Sequence, residues 1–301
     1  MQTVVVTGSN GLVGQKLVSL LADRPSVNLV AWSRGANRNP RRQGYQYEDV
    51  DLHQADALVA RVAALKPDAI VHCAALSQAD ACERDPAACQ AANVGTVENL
   101  LLATRDLNTH LVLLSTDFVF DGTEGPYRED APTRPLSAYG RAKLQAEELV
   151  LRAPQPTTIV RTALVYGYAP GLSRSNLVLW VHKSLKDKER IRVAEDQWRT
   201  PTLAEDLADA LAVIALRTRT GVYHVSGSEY LSVYEFAQQT ALALDLEPGL
   251  VLPITTAELA EAAPRPLKTG LVILKAQTEL GFQPTPLAGG LAAVRQQLKQ
   301  A

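Results

Sequence analysis

Hydrophobic positions in the first half of the chain alternate between short β-branched runs and longer stretches with helical spacing. The run at 3–7 is continuous and ends in a glycine turn, which suits a strand covered on both faces. Apolar residues then recur at helical spacing over 12–21. The alternation continues, with strands predicted at 27–32, 47–50, 69–72, 111–115 and 157–161, and helices at 55–65, 91–103 and 138–151. Strands alternating with helices in this way predict βαβ units and a parallel sheet.

The pattern weakens in two places. Glycines and prolines interrupt residues 115–137, which predicts a long ordered loop of functional importance. After residue 167, helices are predicted at 176–184 and 203–216 and a strand at 221–226, and 248–286 is proline-rich with short elements. Another helix is predicted to start at Ser232, because Glu235 follows three residues later in a capping box.

Composition narrows the classes of function. Thirty basic and 32 acidic residues leave a net charge of −2, which argues against a nucleic-acid partner and against a polybasic membrane surface. No apolar run approaches the roughly 20 residues that span a bilayer. The first predicted strand begins at Gln2, so no secretory leader is expected, and three cysteines suit a reducing compartment. The sequence predicts a soluble, cytoplasmic globular protein.

A glycine-rich turn joins the first strand to the first helix. Its glycines are spaced three and three, whereas the usual dinucleotide fingerprint has two and three. The physics is the same, because a missing Cβ lets backbone N–H groups approach a pyrophosphate at a helix N-terminus. The alternative is an ordinary strand–turn–helix corner. The turn residues predicted to bind the cofactor are Gly8, Ser9, Asn10, Gly11, Leu12, Val13 and Gly14.

These patterns together predict an α/β protein with a Rossmann-type doubly wound parallel sheet and a smaller C-terminal α/β lobe. Residues 1–166 are expected to form the cofactor-binding domain, with a strand and a helix returning to it near 203–226. Residues 167–301 are expected to form mainly the substrate-binding lobe.

The end of the second strand indicates which dinucleotide is bound. A site for NAD places an acidic residue there to accept hydrogen bonds from the ribose 2′-OH, whereas this chain has Ser33 and Arg34. A guanidinium can pair with a 2′-phosphate, so NADP(H) is predicted. The alternative is a solvated basic loop that also carries Arg38, Arg41 and Arg42.

Two further strand ends offer cofactor contacts. Asp51 and Leu52 follow the third strand and could cap the adenine. The small residues Cys73, Ala74 and Ala75 follow the fourth, where backbone would pass close to a ligand. Both predictions depend on the glycine turn, and each pattern alone is compatible with plain structure.

A tyrosine and a lysine are predicted to share one face of a helix. Tyr139 and Lys143 are four residues apart, and a nearby ammonium would lower the phenol pKa from its usual value of about 10. Such a tyrosine can donate a proton to a carbonyl oxygen while hydride reaches the carbon, and Lys143 would also bind the nicotinamide ribose. Ser115 and Thr116 end the fifth strand, where a hydroxyl could hold the substrate carbonyl. The alternative is a surface Tyr–Lys pair.

The order of these motifs resembles the extended short-chain dehydrogenase/reductases and, within them, the dTDP-4-dehydrorhamnose reductase family. The most specific stretches are STDFVFDG at 115–122, PYRE at 126–129, PL at 135–136 and YGRAK at 139–143. Supporting matches include Ala74-Ala75, Asp80, Glu83, Asn93, Arg161-Thr162, the VYG at 165–167, Asp196-Gln197, Pro201-Thr202 and Arg265-Pro266. The resemblance covers essentially the whole chain.

The resemblance implies NADPH-dependent reduction of a nucleotide-linked 4-keto-6-deoxy sugar, with Tyr139 as proton donor. The implied catalytic residues are Thr116, Tyr139 and Lys143, and Asn93 and Ser115 join Tyr139 and Lys143 at the cofactor. The residues implied on the substrate side are Thr116, Asp117, Phe118, Leu164, Gln197, Trp198, Thr202 and Arg265. A homodimer is implied by the family alone.

Three positions depart from the family pattern. Leu164 stands where the family usually has a tryptophan, and Leu76 where a tyrosine is common. Some members bind magnesium through acidic residues at a dimer contact, and the first of these aligns with Lys16. No metal is therefore predicted.

Other polar residues have two interpretations. Asp80 and Glu83 could contact substrate, or could sit in the first turn of a helix, which favours acids. His72 and His224 lie in predicted strands and are expected to be hydrogen-bonded core residues.

Two other functions stay open. One is an epimerase or dehydratase that retains NAD, against which Arg34 argues. The other is a non-catalytic NADP-binding regulatory subunit resembling that of methionine adenosyltransferase, against which the intact Thr116, Tyr139 and Lys143 argue. The base, the sugar and the stereochemistry at C4 depend on the irregular segments after Gly167.

Overall fold

Seven parallel strands form the central sheet of the computed structural model, which describes residues 1–300; Ala301, the end of the predicted C-terminal lobe, lies outside it. The strand order is β3–β2–β1–β4–β5–β6–β11. The strands are β1 (Gln2–Thr7), β2 (Val27–Ser33), β3 (Gln46–Asp49), β4 (Ala69–His72), β5 (His110–Thr116), β6 (Thr157–Thr162) and β11 (Gly221–His224). The predicted Rossmann-type doubly wound sheet is thereby confirmed.

Helices cover both faces of this sheet. In β1, Val4 and Val6 enter the core beneath one set of helices, and Val5 enters the core on the opposite face. This two-sided burial is why the run is apolar throughout instead of alternating. The helices of the first core are α1 (Leu12–Leu21), α8 (Ala204–Leu216) and α11 (Leu274–Leu280), and those of the second are α2 (Ala55–Leu65), α5 (Thr96–Thr104) and α6 (Ala138–Leu151).

The remaining C-terminal elements build a smaller lobe with its own apolar clusters, which include Tyr166, Phe236 and Leu291. Its helices are α7 (Leu177–Lys186), α9 (Val233–Ala243), α10 (Thr256–Leu259) and α12 (Leu287–Lys299). Its strands pair as β7 (Val165–Tyr166) with β10 (Thr202–Leu203), β9 (Trp198–Arg199) with β12 (Leu231–Ser232), and β8 (Ile191–Ala194) with β13 (Val251–Ile254). The strand β11 belongs to the main sheet, and the helix α8 packs in the core on one face of that sheet.

Some elements were not predicted from the sequence. The helix predicted to start at 91 is preceded by α3 (Ala79–Arg84) and α4 (Pro86–Gln90), and a π-turn at Ala91–Gly95 leads into α5. Segments of five or six residues are too short to show a helical period. The helix α12 was also missed, because Gly289 and Gly290 interrupt its apolar spacing. Within residues 1–300, no helix is both long and apolar enough to cross a membrane.

Candidate active site

A cleft of about 740 Å³ opens at the carboxyl ends of the sheet strands. There the chain continues from β1 to its neighbour β2 and from β4 to its neighbour β5, in opposite directions along the sheet. In open α/β sheets this point, where the strand order reverses, is the usual ligand site. Residues from both lobes line it. The predicted site residues among them are Gly8, Gly11, Leu12, Val13, Gly14, Cys73, Ala75, Ser115, Thr116, Asp117, Phe118, Tyr139, Lys143, Leu164, Gln197 and Arg265.

The glycine turn has no room for side chains. Gly8 has φ +66°, and a Cβ there would lie 2.6 Å from the backbone nitrogen of Ala74. A Cβ on Gly14 would lie 2.2 Å from the carbonyl oxygen of Gly8. No side chain caps the N-terminus of α1, which begins directly after the turn. A bare backbone at an uncapped helix N-terminus is the chemistry that a pyrophosphate requires, so these residues fit a dinucleotide.

Asn10 of the glycine turn holds the basic loop that follows β2. The Asn10 side chain donates to the carbonyl oxygen of Ala36, 3.0 Å away, and accepts from the backbone N–H of Arg38 at 2.8 Å. Arg34 is exposed and Ser33 half-buried at the end of β2, outside the cleft lining. Asn10 therefore fixes the loop that carries the predicted phosphate-binding arginine.

The remaining predicted cofactor residues lie outside the cleft lining. Ser9 and Ala74 flank residues that line it, Leu52 packs in the core, and Asp51 accepts from the backbone of His53. Asn93 is buried and donates to the carbonyl oxygen of Leu76, 3.0 Å away.

Helix α6 presents Tyr139 and Lys143 to the cleft on one face. Its first turn is capped by Ser137, whose hydroxyl accepts from the backbone N–H of Gly140 at 3.1 Å. The Tyr139 ring packs edge-on against Phe118, with centroids 5.8 Å apart. Lys143 is buried, and its ammonium donates to the carbonyl oxygen of Leu114, 2.8 Å away.

The expectation that Lys143 acidifies the phenol is wrong in this structure. Burial raises the pKa of Tyr139, and a hydrogen bond with Thr116 only partly opposes this. Burial also lowers the pKa of Lys143 to about 8, with the Glu147 carboxylate acting in the opposite direction. Tyr139 therefore stays protonated at neutral pH, which is the state of a proton donor.

A buried ion pair missed from the sequence joins Asp117 and Arg199, which both line the cleft. The Nε of Arg199 is 3.3 Å from Asp117 Oδ2, and Arg199 also donates to the carbonyl oxygen of Pro266 at 2.7 Å. Thr116 donates to Asp117 Oδ1 at 3.1 Å, and Thr269 donates to the other oxygen. Asp117 thus connects a predicted catalytic hydroxyl to the C-terminal lobe. Only its proximity to Gln197 in sequence hinted at Arg199.

The comparisons with known proteins agree with this geometry. The family described as "RmlD substrate binding domain" matches residues 1–300. The chain belongs to this family.

Individual relatives of this RmlD-family chain carry two kinds of name. A dTDP-4-dehydrorhamnose reductase of Streptomyces griseus is 35% identical, over 87% of this chain and 83% of the relative. Methionine adenosyltransferase 2 subunit beta of Xenopus tropicalis is 31% identical, over 95% of this chain and 85% of the relative. The crystal structure of a dTDP-4-dehydrorhamnose reductase from Bacillus anthracis, in complex with NADP, has a TM-score of 0.85 and 27% identity, covering 99% of this chain and 100% of that one.

The predicted substrate-side residues of this RmlD-family chain fall into two groups, those that line the cleft and those that do not. Leu164 lines the cleft in a left-handed conformation, with φ +42°, and Gln197 also lines it and donates to Thr256. Thr202 lies outside the cleft lining, buried against the carbonyl oxygen of Ala163, 2.7 Å away. Trp198, implied on the substrate side, also lies outside the lining and packs against Tyr230 at a centroid distance of 5.5 Å.

Asp80 and Glu83 hold other site residues in place. Asp80 pairs with Arg265 at 2.8 Å, and Arg265 lines the cleft. Glu83 accepts from the backbone N–H of Ala138 at 2.8 Å, at the start of α6. Both acids therefore have structural roles at the site.

Lys16 occupies a cluster joining three helices. Its ammonium lies 2.7 Å from Glu205 Oε1 on α8 and donates to Gln297 on α12 at 3.3 Å. Across the described part of the chain, no group of three or more His, Cys, Asp or Glu side chains could hold a metal ion.

Proposed function

We propose that this protein is an NADPH-dependent reductase of a nucleotide-linked 4-keto-6-deoxy sugar. The observation that carries the proposal is that Thr116, Tyr139 and Lys143 line one cleft together with the glycine turn. The reductase relatives and the NADP in the Bacillus anthracis structure support this substrate class and cofactor.

The fold supports a proposal for the cofactor contacts. Residues 1–166 would hold NADP(H), with the pyrophosphate on the turn at Gly8–Gly14 and the 2′-phosphate near Arg34. When bound, NADPH supplies the hydride that reduces the ketone. The lobe at 167–301 would close the other side of the cleft around the sugar nucleotide.

The chain's own residues would manage the proton. Tyr139, protonated because burial raises its pKa, would donate to the ketone oxygen. The Thr116 hydroxyl, beside the phenol, would orient that oxygen. Lys143 would bind the nicotinamide ribose and thereby set the distance between cofactor and substrate.

The experiment is an absorbance assay of NADPH consumption with a panel of dTDP-4-keto-6-deoxy sugars. Tyr139→Phe should lower kcat by about 10²- to 10⁴-fold, because the general acid is lost, and the variant should still bind NADPH. Tyr234→Phe is the matched control, since Tyr234 lies on α9 and bonds only to Gln238. Absence of turnover by a wild-type protein that binds NADPH would refute the proposal.

A regulatory subunit is the second candidate, supported by the similarity to methionine adenosyltransferase 2 subunit beta. It predicts NADPH binding without reduction of any keto sugar, and the same properties in wild type and Tyr139→Phe. An epimerase or dehydratase would instead release stoichiometric NAD when the purified protein is denatured.

A further inference from the structure

One turn beyond Lys143, helix α6 carries a carboxylate that the proposed reaction does not use. Glu147 is 0% exposed and follows Tyr139 and Lys143 at four-residue spacing, so the three side chains share a helix face. A buried carboxylate is costly unless charges and hydrogen bonds compensate it. Its partners therefore indicate its purpose.

Two residues from adjacent strands hold this carboxylate. Arg161 of β6 contacts both oxygens, with its Nε 3.1 Å from each and a terminal nitrogen 2.7 Å from Oε2. Ser115 of β5 donates its hydroxyl hydrogen to Oε1 at 2.5 Å. The Ser115 hydroxyl, predicted at the cofactor, is thus committed to Glu147. These contacts fix the helix that carries Tyr139 to the two strands beside the cleft.

Besides Glu147, the acidic groups that act on Lys143 are cysteine thiols. Cys73, directly after β4, and Cys89, on α4, are two thiols whose charge would act on Lys143. Burial raises the pKa of the Cys73 thiol to about 12, so this group is neutral. His72 on β4 is also neutral, because burial lowers its pKa to about 3. Tyr139 on α6 keeps its proton. Among the groups that act on Lys143, Glu147 therefore supplies the carboxylate.

We propose that Glu147 is a positioning residue whose carboxylate, fixed by Arg161 and Ser115, is the buried counter-charge that holds the Lys143 ammonium in place beside the site. Arg161 neutralises Glu147 from the strand side, while Lys143 lies one helical turn away on the cleft side. Without the carboxylate, two cations would remain in one part of the core with no anion between them. This inference depends on the proposed function in one respect, which is the role of Lys143 in catalysis.

The test measures the protonation of Lys143 directly, by NMR titration of protein labelled with ¹³C-lysine, with the signal assigned by Lys143→Arg. Glu147→Gln should lower the pKa of Lys143 by about one pH unit or more. Glu148→Gln is the matched control, since this neighbour is exposed and pairs with Arg152 at 3.4 Å on the outer face. A Lys143 pKa that is equal in the two variants would overturn the proposal.

Two further variants separate this role from folding. Glu147→Asp keeps the charge and should restore most of the Lys143 pKa. If Glu147→Gln fails to fold because Arg161 is left unpaired, Glu147→Gln/Arg161→Gln removes both charges. The double variant leaves Lys143 without the carboxylate one helical turn away, so its pKa should still fall below the wild-type value. A wild-type value there contradicts the proposal.

The activity readout is the alkaline limb of the kcat profile. Removing Glu147 favours deprotonation of Lys143, so the pH at which kcat is lost should move down by the same amount as the NMR pKa. The titration needs no substrate. A wild-type protein that reduces no keto sugar refutes the proposed function and leaves the lysine result standing, whereas an unshifted lysine in an active enzyme refutes only the role of Glu147.

Discussion

Single side chains in the cleft have charge states that follow from burial more than from neighbouring charges. Tyr139 keeps its proton although a lysine lies one turn away, because the phenol is buried and the ammonium points to the Leu114 carbonyl oxygen. A proton donor needs this state, and the hydroxyl of Thr116 is the group placed to hydrogen-bond with it. At the residue scale, the phenol keeps the proton that the proposed reaction would give to the ketone.

Cofactor preference is a prediction at the residue scale. Arg34→Glu should weaken NADPH binding by about 10- to 100-fold and improve NADH binding, because a charge-assisted hydrogen bond to the 2′-phosphate is replaced by repulsion. Fluorescence titration with both cofactors measures it. Arg42→Glu is the control, since Arg42 is exposed in the same loop and donates to the Asn37 carbonyl oxygen. Equal losses in the two variants would mean that the loop acts only through its net charge.

Two elements, the glycine turn and helix α6, bring the site together. The turn brings the backbone of β1 within contact of the segment after β4, and α6 carries the tyrosine and lysine, with Ser137 capping its start. Each element depends on small residues or a cap at one end, because close backbone approach and an unpaired helix terminus both require it.

Packing of the turn can be tested with one methyl group. Gly14→Ala should cost about 1–3 kcal/mol of stability and weaken NADPH binding about 10-fold or more, because its Cβ would meet the Gly8 carbonyl oxygen. Gly95→Ala, in a helical segment with no atom within 4 Å of the added Cβ, should be neutral or stabilising by up to about 1 kcal/mol. Denaturant unfolding and cofactor titration give both quantities; unimpaired binding in Gly14→Ala would show that the turn moves freely.

Three histidines are buried in the neutral state, which makes the stability of the whole molecule depend on pH. Burial lowers the pKa of His72 and of His224 to about 3, and that of His110 to about 4. His72 hydrogen-bonds with Thr7 at 2.8 Å in the sheet, as expected for a core histidine. In the unfolded chain these groups take up protons below about pH 6.5. Stability is therefore fully present above that pH and is lost as the pH falls towards the folded values.

Acid sensitivity is thus the prediction at the molecular scale. Each such histidine should reduce the free energy of unfolding by about 1.4 kcal/mol per pH unit below about pH 6.5. His72→Gln should therefore lose about 2 kcal/mol less than wild type between about pH 7.5 and pH 5. Urea unfolding at several pH values measures the slope. The same substitution at the exposed His53 should leave the wild-type slope, and an unchanged slope in His72→Gln would contradict the assignment.

Local patterns predicted much of the molecule. The apolar run of β1, the glycine turn and the alternation of strands with helices led to the parallel sheet, and the predicted helix at 138–151 coincides with α6. Motif order led to the family, which the match over residues 1–300 confirms. The helices and strands rest on neighbours within one or two helical turns and the family on the order of motifs, so the sequence carries both directly.

Only the folded chain decided the connections between distant segments. Glu147 with Arg161, Asp117 with Arg199, and Lys16 with Glu205 join residues on different elements, and no periodicity or motif relates their positions. The protonation of Tyr139 belongs here as well. The sequence places a lysine four residues away and suggests an acidic phenol, whereas the depth of the cleft removes water and leaves the phenol neutral. Sequence identified many of the residues that line the cleft, whereas burial in the folded chain determined the protonation of Tyr139.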